Sequence, residues 1–291
     1  MIAGTPSWID AKVHSHHIID GDTVHLTPIT GGRWFGPDWP VRCRSDGALT
    51  LRLAALDAPE LSFSAAPPAL RHQPLAYAVA ATEAFRAALC SASSCRDLRR
   101  IDAEPVEVTA CVLAVDVYQR AVGVLCTGSG RANADCVESI NAQLLASGAA
   151  YPDFHAQLPD DWLSTLDRHC KGARRAGLGV WSADRSSQPI ALGALDRLTQ
   201  DQLILPRLFR RLTEFARHQG LPIAAGVAGA APLAPLFREY LERRERTVFL
   251  RDRRVSCPFV ECLEFADDFC RIPGDVENFL YQSGQGERKL T

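Results

Sequence analysis

The chain has 291 residues, 47% of them hydrophobic, so it can bury one or two ordinary cores, and its charged fraction of 23% is far from that of a disordered chain. A formal net charge of -2 removes any global basic field, so contact with nucleic acid requires a local cationic site. The ten cysteines form no CxxC pair, the start carries Asp10 and no signal-like apolar run, and no stretch reaches membrane-spanning length. Together these favour a reducing cytoplasm, with export by another route left open.

In chain order, five runs have strand character: KVHSHHII from Lys12, TVHLTPI from Thr23, LTLRLAAL from Leu49, VEVTACVLAV from Val106 and RAVGVLC from Arg120. Helical spacing appears in residues 74–89, 138–148 and 158–177, the last two ending at a glycine. This order predicts a small barrel decorated by helices. Residues 30–47 and 91–100 read as loops, the first carrying Trp34, Phe35 and Trp39 as a hydrophobic cluster or a base-stacking surface.

A composition shift over 182–197 places a boundary near residue 184, giving units 1–184 and 185–291. In the second unit, residues 199–218 predict a helix with a Thr199/Gln202 capping box, in which Pro206 either kinks the helix or marks its true first turn. Its apolar stripe is Leu205, Leu208, Phe209, Leu212 and Phe215. Arg207, Arg210, Arg211 and Arg217 lie elsewhere and read as a solvated face with internal Glu-Arg pairs, the other reading being a nucleic-acid track. A second helix over 234–246 and strands in TVFLRDR and FVECLEF complete this unit.

Three stretches concentrate chemistry. IIDGDTVHL, residues 18–26, places Asp20 and Asp22 around Gly21 inside an apolar run, either as a hairpin tip or as a site. LRLAALDAPE, residues 51–60, puts Arg52, Asp57 and Glu60 at a strand and its exit. DVYQRAVGVL sets Arg120 at the start of another strand. Carboxylates at strand ends suit a hard divalent cation, and guanidinium forks match phosphate oxygens. His14, His16 and His17, on a strand, would face opposite sides and cannot all converge on zinc. Cys257, Cys262 and Cys270 offer thiolates for a zinc site but no convincing histidine partner, and the other reading is buried or incidental thiols.

With NAQLLASGAAY and ARRAGLGVW following, these stretches, in this order, resemble the staphylococcal nuclease (thermonuclease) family over about the first 183 residues. The resemblance implies an α+β fold: a five-stranded OB-fold barrel with three helices, here followed by a smaller, mainly helical α+β unit of unrecognised kind. It implies a Ca2+-dependent nuclease, with Mn2+ or Mg2+ as substitutes, acting on DNA and/or RNA and leaving 3′-phosphate and 5′-hydroxyl ends. Asp22 and Asp57 match the metal-binding aspartates, the Ala58 carbonyl a further ligand, and Asp20 an acid standing behind them. Arg52 and Arg120 match the phosphate-binding arginines, and Glu60 the general base or water-positioning acid. Gln119 stands where a glycine is usual and Ala58 where threonine is common. Tyr151 has no assigned catalytic role.

Two other readings stay open. One is a catalytically silent barrel that binds nucleic acid or protein; the other is a toxin-like or defence nuclease controlled by its second unit, which would also be the docking point for a protein partner.

Overall fold

The computed structural model describes residues 2–29, 40–91, 104–130, 138–155, 158–221, 232–244, 247–252 and 254–281. The aromatic loop residues Trp34, Phe35 and Trp39 lie outside them, as do residues 92–100.

The N-terminal part of the chain contains a closed barrel of five strands. They are β1 (Ile2–Val13), β2 (Thr23–Pro28), β3 (Leu49–Leu53), β5 (Val106–Val115) and β6 (Ala121–Thr127), with a short β4 (Ala55–Asp57) after β3. Around the barrel the order is β1-β2-β3-β6-β5, every pairing antiparallel except β3 with β6. Alternation in β3 explains its orientation: Leu49, Leu51 and Leu53 are buried in the core, while Thr50 and Arg52 are half-buried on the other face. Three helices accompany the barrel: α1 (Leu75–Ser91), α2 (Ile140–Ala146) and α3 (Asp160–Arg175).

Two expectations for these strands need correction. KVHSHHII is not one strand: β1 runs earlier and ends at Val13, and Ser15–His17 fold into a 3-10 turn. LTLRLAAL is broken because Ala55 adopts φ 71, a conformation rare for a side chain bearing a Cβ. That kink sends β4 away from the barrel to pair with β7 (Tyr151–Asp153), with Asp57 opposite Tyr151. Buried Asn141 of α2 holds the kink by donating to the Ala54 carbonyl (2.8 Å) and accepting from the Leu125 amide (3.0 Å).

Residues 185–281 also mix helices and strands. They contain β8 (Ile190–Ala191), α4 (Arg197–Gln200), α5 (Pro206–Gln219), α6 (Leu233–Glu242), β9 (Thr247–Leu250), β10 (Val255–Pro258), β11 (Glu264–Ala266), β12 (Phe269–Arg271) and β13 (Phe279–Tyr281). The expected helix over 199–218 is two helices. Leu205 takes an extended conformation (ψ 124) before Pro206, which opens α5 as its first residue, and Gly220 closes it at φ 61. FVECLEF likewise splits into a 3-10 turn, Phe259–Cys262, and β11.

The predicted stripe Leu205, Leu208, Phe209, Leu212 and Phe215 is buried throughout, within a second hydrophobic core. That core also takes Ala66, Leu70, Tyr151 and Val180 from before residue 184. Residues on both sides of the expected boundary at 184 therefore share one core. Tyr281 of β13 donates its amide to the Phe154 carbonyl (2.8 Å), and Tyr151 donates its hydroxyl to Asp184 (3.0 Å). Among the described residues, no helix is long and apolar enough to cross a membrane.

Candidate active site

The opening of β2 answers why a glycine separates two aspartates. A Cβ on Gly21 would lie 2.6 Å from the Cβ of Ala58 and 2.8 Å from that of Ala81, so only hydrogen fits where α1 and the β4 exit close on this turn. The turn delivers Asp22 beside β3 and β4. Its Oδ1 accepts from the Thr23 hydroxyl (2.8 Å) and from Arg52 Nη1 (3.3 Å), and its Oδ2 from the Ala58 amide (3.0 Å). Asp20 accepts the Asp22 amide (3.1 Å). Burial and then the neighbouring Asp22 push the Asp20 carboxyl up to about 7.

Arg52 reaches from β3 to two acids, with Nη2 on Asp57 Oδ1 at 2.6 Å. Burial opposes its charge, but Asp22 and Asp57 outweigh burial and hold the guanidinium more firmly protonated. Glu60 follows the proline that ends β4, and its backbone is pinned by Gln73. The Glu60 amide donates to Gln73 Oε1 (3.1 Å), and the Gln73 amide donates to the Glu60 carbonyl (2.9 Å).

Sequence reasoning missed one member of this group. Arg210, from α5, donates Nη1 to Asp57 Oδ1 (2.9 Å) and to Glu60 Oε1 (2.6 Å), and Nη2 to Asp57 Oδ2 (2.8 Å). The expected solvated arginine face is therefore corrected at Arg207 and Arg210, which are half-buried against acids, whereas Arg217 is exposed. Arg207 pairs with Asp153 (2.8 Å) and lies 3.7 Å over the Tyr281 ring, and Arg217 donates to the Ala65 carbonyl (2.9 Å), while the expected intramolecular Glu-Arg pairs are Arg210 with Glu60 and Arg211 with Glu214 (2.8 Å). One signal was available: α5 carries four arginines and a single acid, so its charge is not balanced within the helix.

Burial would raise the Asp57 carboxyl, but Arg210 and then Arg52 outweigh it and hold the group below the usual carboxylate range. For Glu60, burial wins over Arg210 and its pKa is raised. Asp153 is held well below the usual range: burial opposes ionisation, and Arg207 and His155 overcome it. The sign follows. A depressed carboxyl stabilises the fold above its unfolded pKa of about 3.9, and that stability is lost as pH falls through the folded value. Asp153→Asn is therefore expected to flatten the loss of stability below about pH 4 in urea unfolding measured from pH 7 to pH 2.5; an acid limb as steep as wild type would count against this assignment.

Arg120 makes its ion pair with an acid outside the cluster. Val122 is the β6 partner of Arg52, and Arg120, two residues earlier, sits at the same strand edge. Its own carboxylate partner is Asp116, at 2.7 Å from Nε. Gln119 has φ 62, so the position where the resemblance leads one to expect glycine does adopt a backbone that favours glycine.

The carboxylates do not fit a divalent cation in this arrangement. Both oxygens of Asp22 and both of Asp57 already accept from guanidinium, hydroxyl or amide groups. Ala58 meets Asp22 through its amide, and among the described residues no group of three His, Cys, Asp or Glu side chains is placed to hold a metal ion. The histidines of the 3-10 turn do gather, contrary to the strand expectation, with ring centroids of His14, His16 and His17 4.4 to 5.7 Å apart. Burial, His16 and His14 push His17 down to about 4. Cys257 and Cys262 have sulfurs 3.7 Å apart.

Fold and site together define a mixed α+β protein whose closed five-stranded barrel carries a buried carboxylate-arginine cluster at the rim of β2, β3 and β4. Scans against protein-family models and against curated proteins find no match to this chain.

Proposed function

We propose that the barrel is an OB-fold of the staphylococcal nuclease type and that the protein is a nuclease hydrolysing phosphodiester bonds of DNA and/or RNA. The observation that carries this reading is the convergence of Asp20, Asp22, Arg52, Asp57 and Glu60 from separate segments onto one site. In the proposed reaction water attacks phosphorus in line, a P–O bond forms and the P–O5′ bond breaks, leaving 3′-phosphate and 5′-hydroxyl ends. The water's proton goes to Glu60, whose burial-raised pKa suits a base, and the leaving 5′ oxygen takes a proton from solvent. Arg52 and Arg120 supply N–H donors for the charge growing on the non-bridging oxygens.

Ca2+, with Mn2+ or Mg2+ as substitutes, is the cofactor this reading proposes. It enters no step here because the carboxylates described are already engaged. That engagement favours a second reading, a silent barrel that binds nucleic acid or protein without cutting. One assay separates the two: labelled single- and double-stranded DNA and RNA are incubated with the full chain in Ca2+, Mn2+, Mg2+ or EDTA, beside Arg52→Ala/Glu60→Ala. Metal-dependent cleavage that disappears in the double variant is expected; binding without cleavage by the folded wild-type chain and by Arg210→Gln would leave the silent reading standing.

A further inference from the structure

Arg210 fills the space between Asp57 and Glu60 with a positive charge that originates in the other unit. Its contact is a built one. Both Asp57 oxygens and one Glu60 oxygen are engaged, and the side chain of Asp57 is only 1% exposed. Burial disfavours the guanidinium charge, but Asp57 and Glu60 overcome that penalty, so Arg210 remains a cation here.

The helix that delivers it is fixed at several points. Buried Gln73, which brackets Glu60, donates its side-chain amide to the Ile204 carbonyl (2.7 Å) just ahead of α5, and Ser186 caps the Leu205 amide (2.8 Å). One turn before Arg210, Arg207 grips Asp153, which pairs with Ala55 at the β4 kink, and two turns after it Arg217 holds the Ala65 carbonyl. Glu60 is thus tied to α5 through both its side chain and its backbone neighbour.

We propose that Arg210 is an internal competitor for the cation of this site: it takes the position beside Asp57 and Glu60 that a divalent metal needs, and α5 must withdraw from the barrel before metal binds. The proposal rests on the nuclease reading for what the metal is for, but not for whether Arg210 excludes it. A carboxylate that accepts from a bidentate guanidinium has fewer lone pairs to offer a metal, and the two cations repel in a poorly solvated space. The second unit therefore controls cation occupancy of the barrel, and the apparent metal affinity is the intrinsic one reduced by the fraction of molecules with Arg210 withdrawn.

The test is Ca2+ binding by calorimetry on the full chain, comparing wild type, Arg210→Gln, Arg210→Ala and, as a control, Arg197→Ala at an exposed pair with Asp201. Circular dichroism checks that each is folded. Both Arg210 variants are expected to bind Ca2+ about tenfold or more tightly than wild type, with the control unchanged. Equal affinity in wild type and Arg210→Gln, or no Ca2+ binding by either, overturns the proposal. Hydrogen exchange on the wild-type chain needs no variant: saturating Ca2+ is expected to reduce protection of α5 amides, and bound Ca2+ with α5 protection unchanged also overturns it. Cleavage assays on the same samples separate the two ideas. Tighter Ca2+ binding by Arg210→Gln with no cleavage by any chain leaves the competition intact and removes the nuclease, whereas metal-dependent cleavage with equal affinities does the reverse.

Discussion

Asp57→Ala is expected to lower the unfolding free energy by about 3–5 kcal/mol, the range for removing one partner from a buried charge network. Asp57 accepts from Arg52 at 2.6 Å and from Arg210 at 2.9 and 2.8 Å, and those guanidinium side chains are only 18% and 19% exposed. Deleting the acid leaves Arg52 with Asp22 at 3.3 Å and Arg210 with Glu60 alone, so two cations face each other with too little compensation. Asp57→Ala/Arg210→Leu is expected to recover part of the loss, because removing both partners avoids stranding a charge. Urea unfolding followed by far-ultraviolet circular dichroism measures both. A loss below about 1 kcal/mol for Asp57→Ala, the level of an exposed pair, would mean that the cluster is far better solvated than its burial indicates.

The second large effect concerns activity. On the nuclease reading, Arg52→Lys is expected to cut cleavage by roughly 10²–10³-fold, the cost of losing a preorganised donor to a developing oxyanion. Arg52 presents two nitrogens to two different acids, Nη1 to Asp22 and Nη2 to Asp57, and so is held in one orientation by its neighbours. A lysine has one ammonium and cannot span both acids while offering a further donor to phosphate. Single-turnover cleavage in the Arg210→Gln background isolates the chemical step from any withdrawal of α5. Activity within twofold of the Arg210→Gln parent would remove Arg52 from the phosphate-binding role.

Much of the site's composition was legible locally. Asp20, Asp22, Arg52, Asp57 and Glu60 lie in short stretches where polar residues interrupt apolar strand patterns, and such interruptions are costly unless something uses them. The five barrel strands were each signalled by part of their run, although β1 was missed over Ile2–Ala11. Its pairing with β5 shifts register between Ala3 and Ser7, which removes the simple alternation that marks a strand. The histidine stretch reads as a strand for the opposite reason: apolar residues on either side suggest continuity, while the chain turns over Ser15–His17.

The sequence by itself determined which charged groups the protein carries, most of the local elements that present them, and the glycine that lets the β2 turn approach Ala58 and Ala81. Only the tertiary structure decided which cation meets the carboxylates. Arg210 is separated from Asp57 by 153 positions and from Glu60 by 150. Periodicity within α5 separates its buried stripe from its polar face, but reads the same whether that face meets water or the acids of another unit. The choice was made by the packing of the second core against Tyr151 and Val180 and by the anchors at Gln73, Ser186 and Asp153, contacts between distant residues that no local pattern encodes.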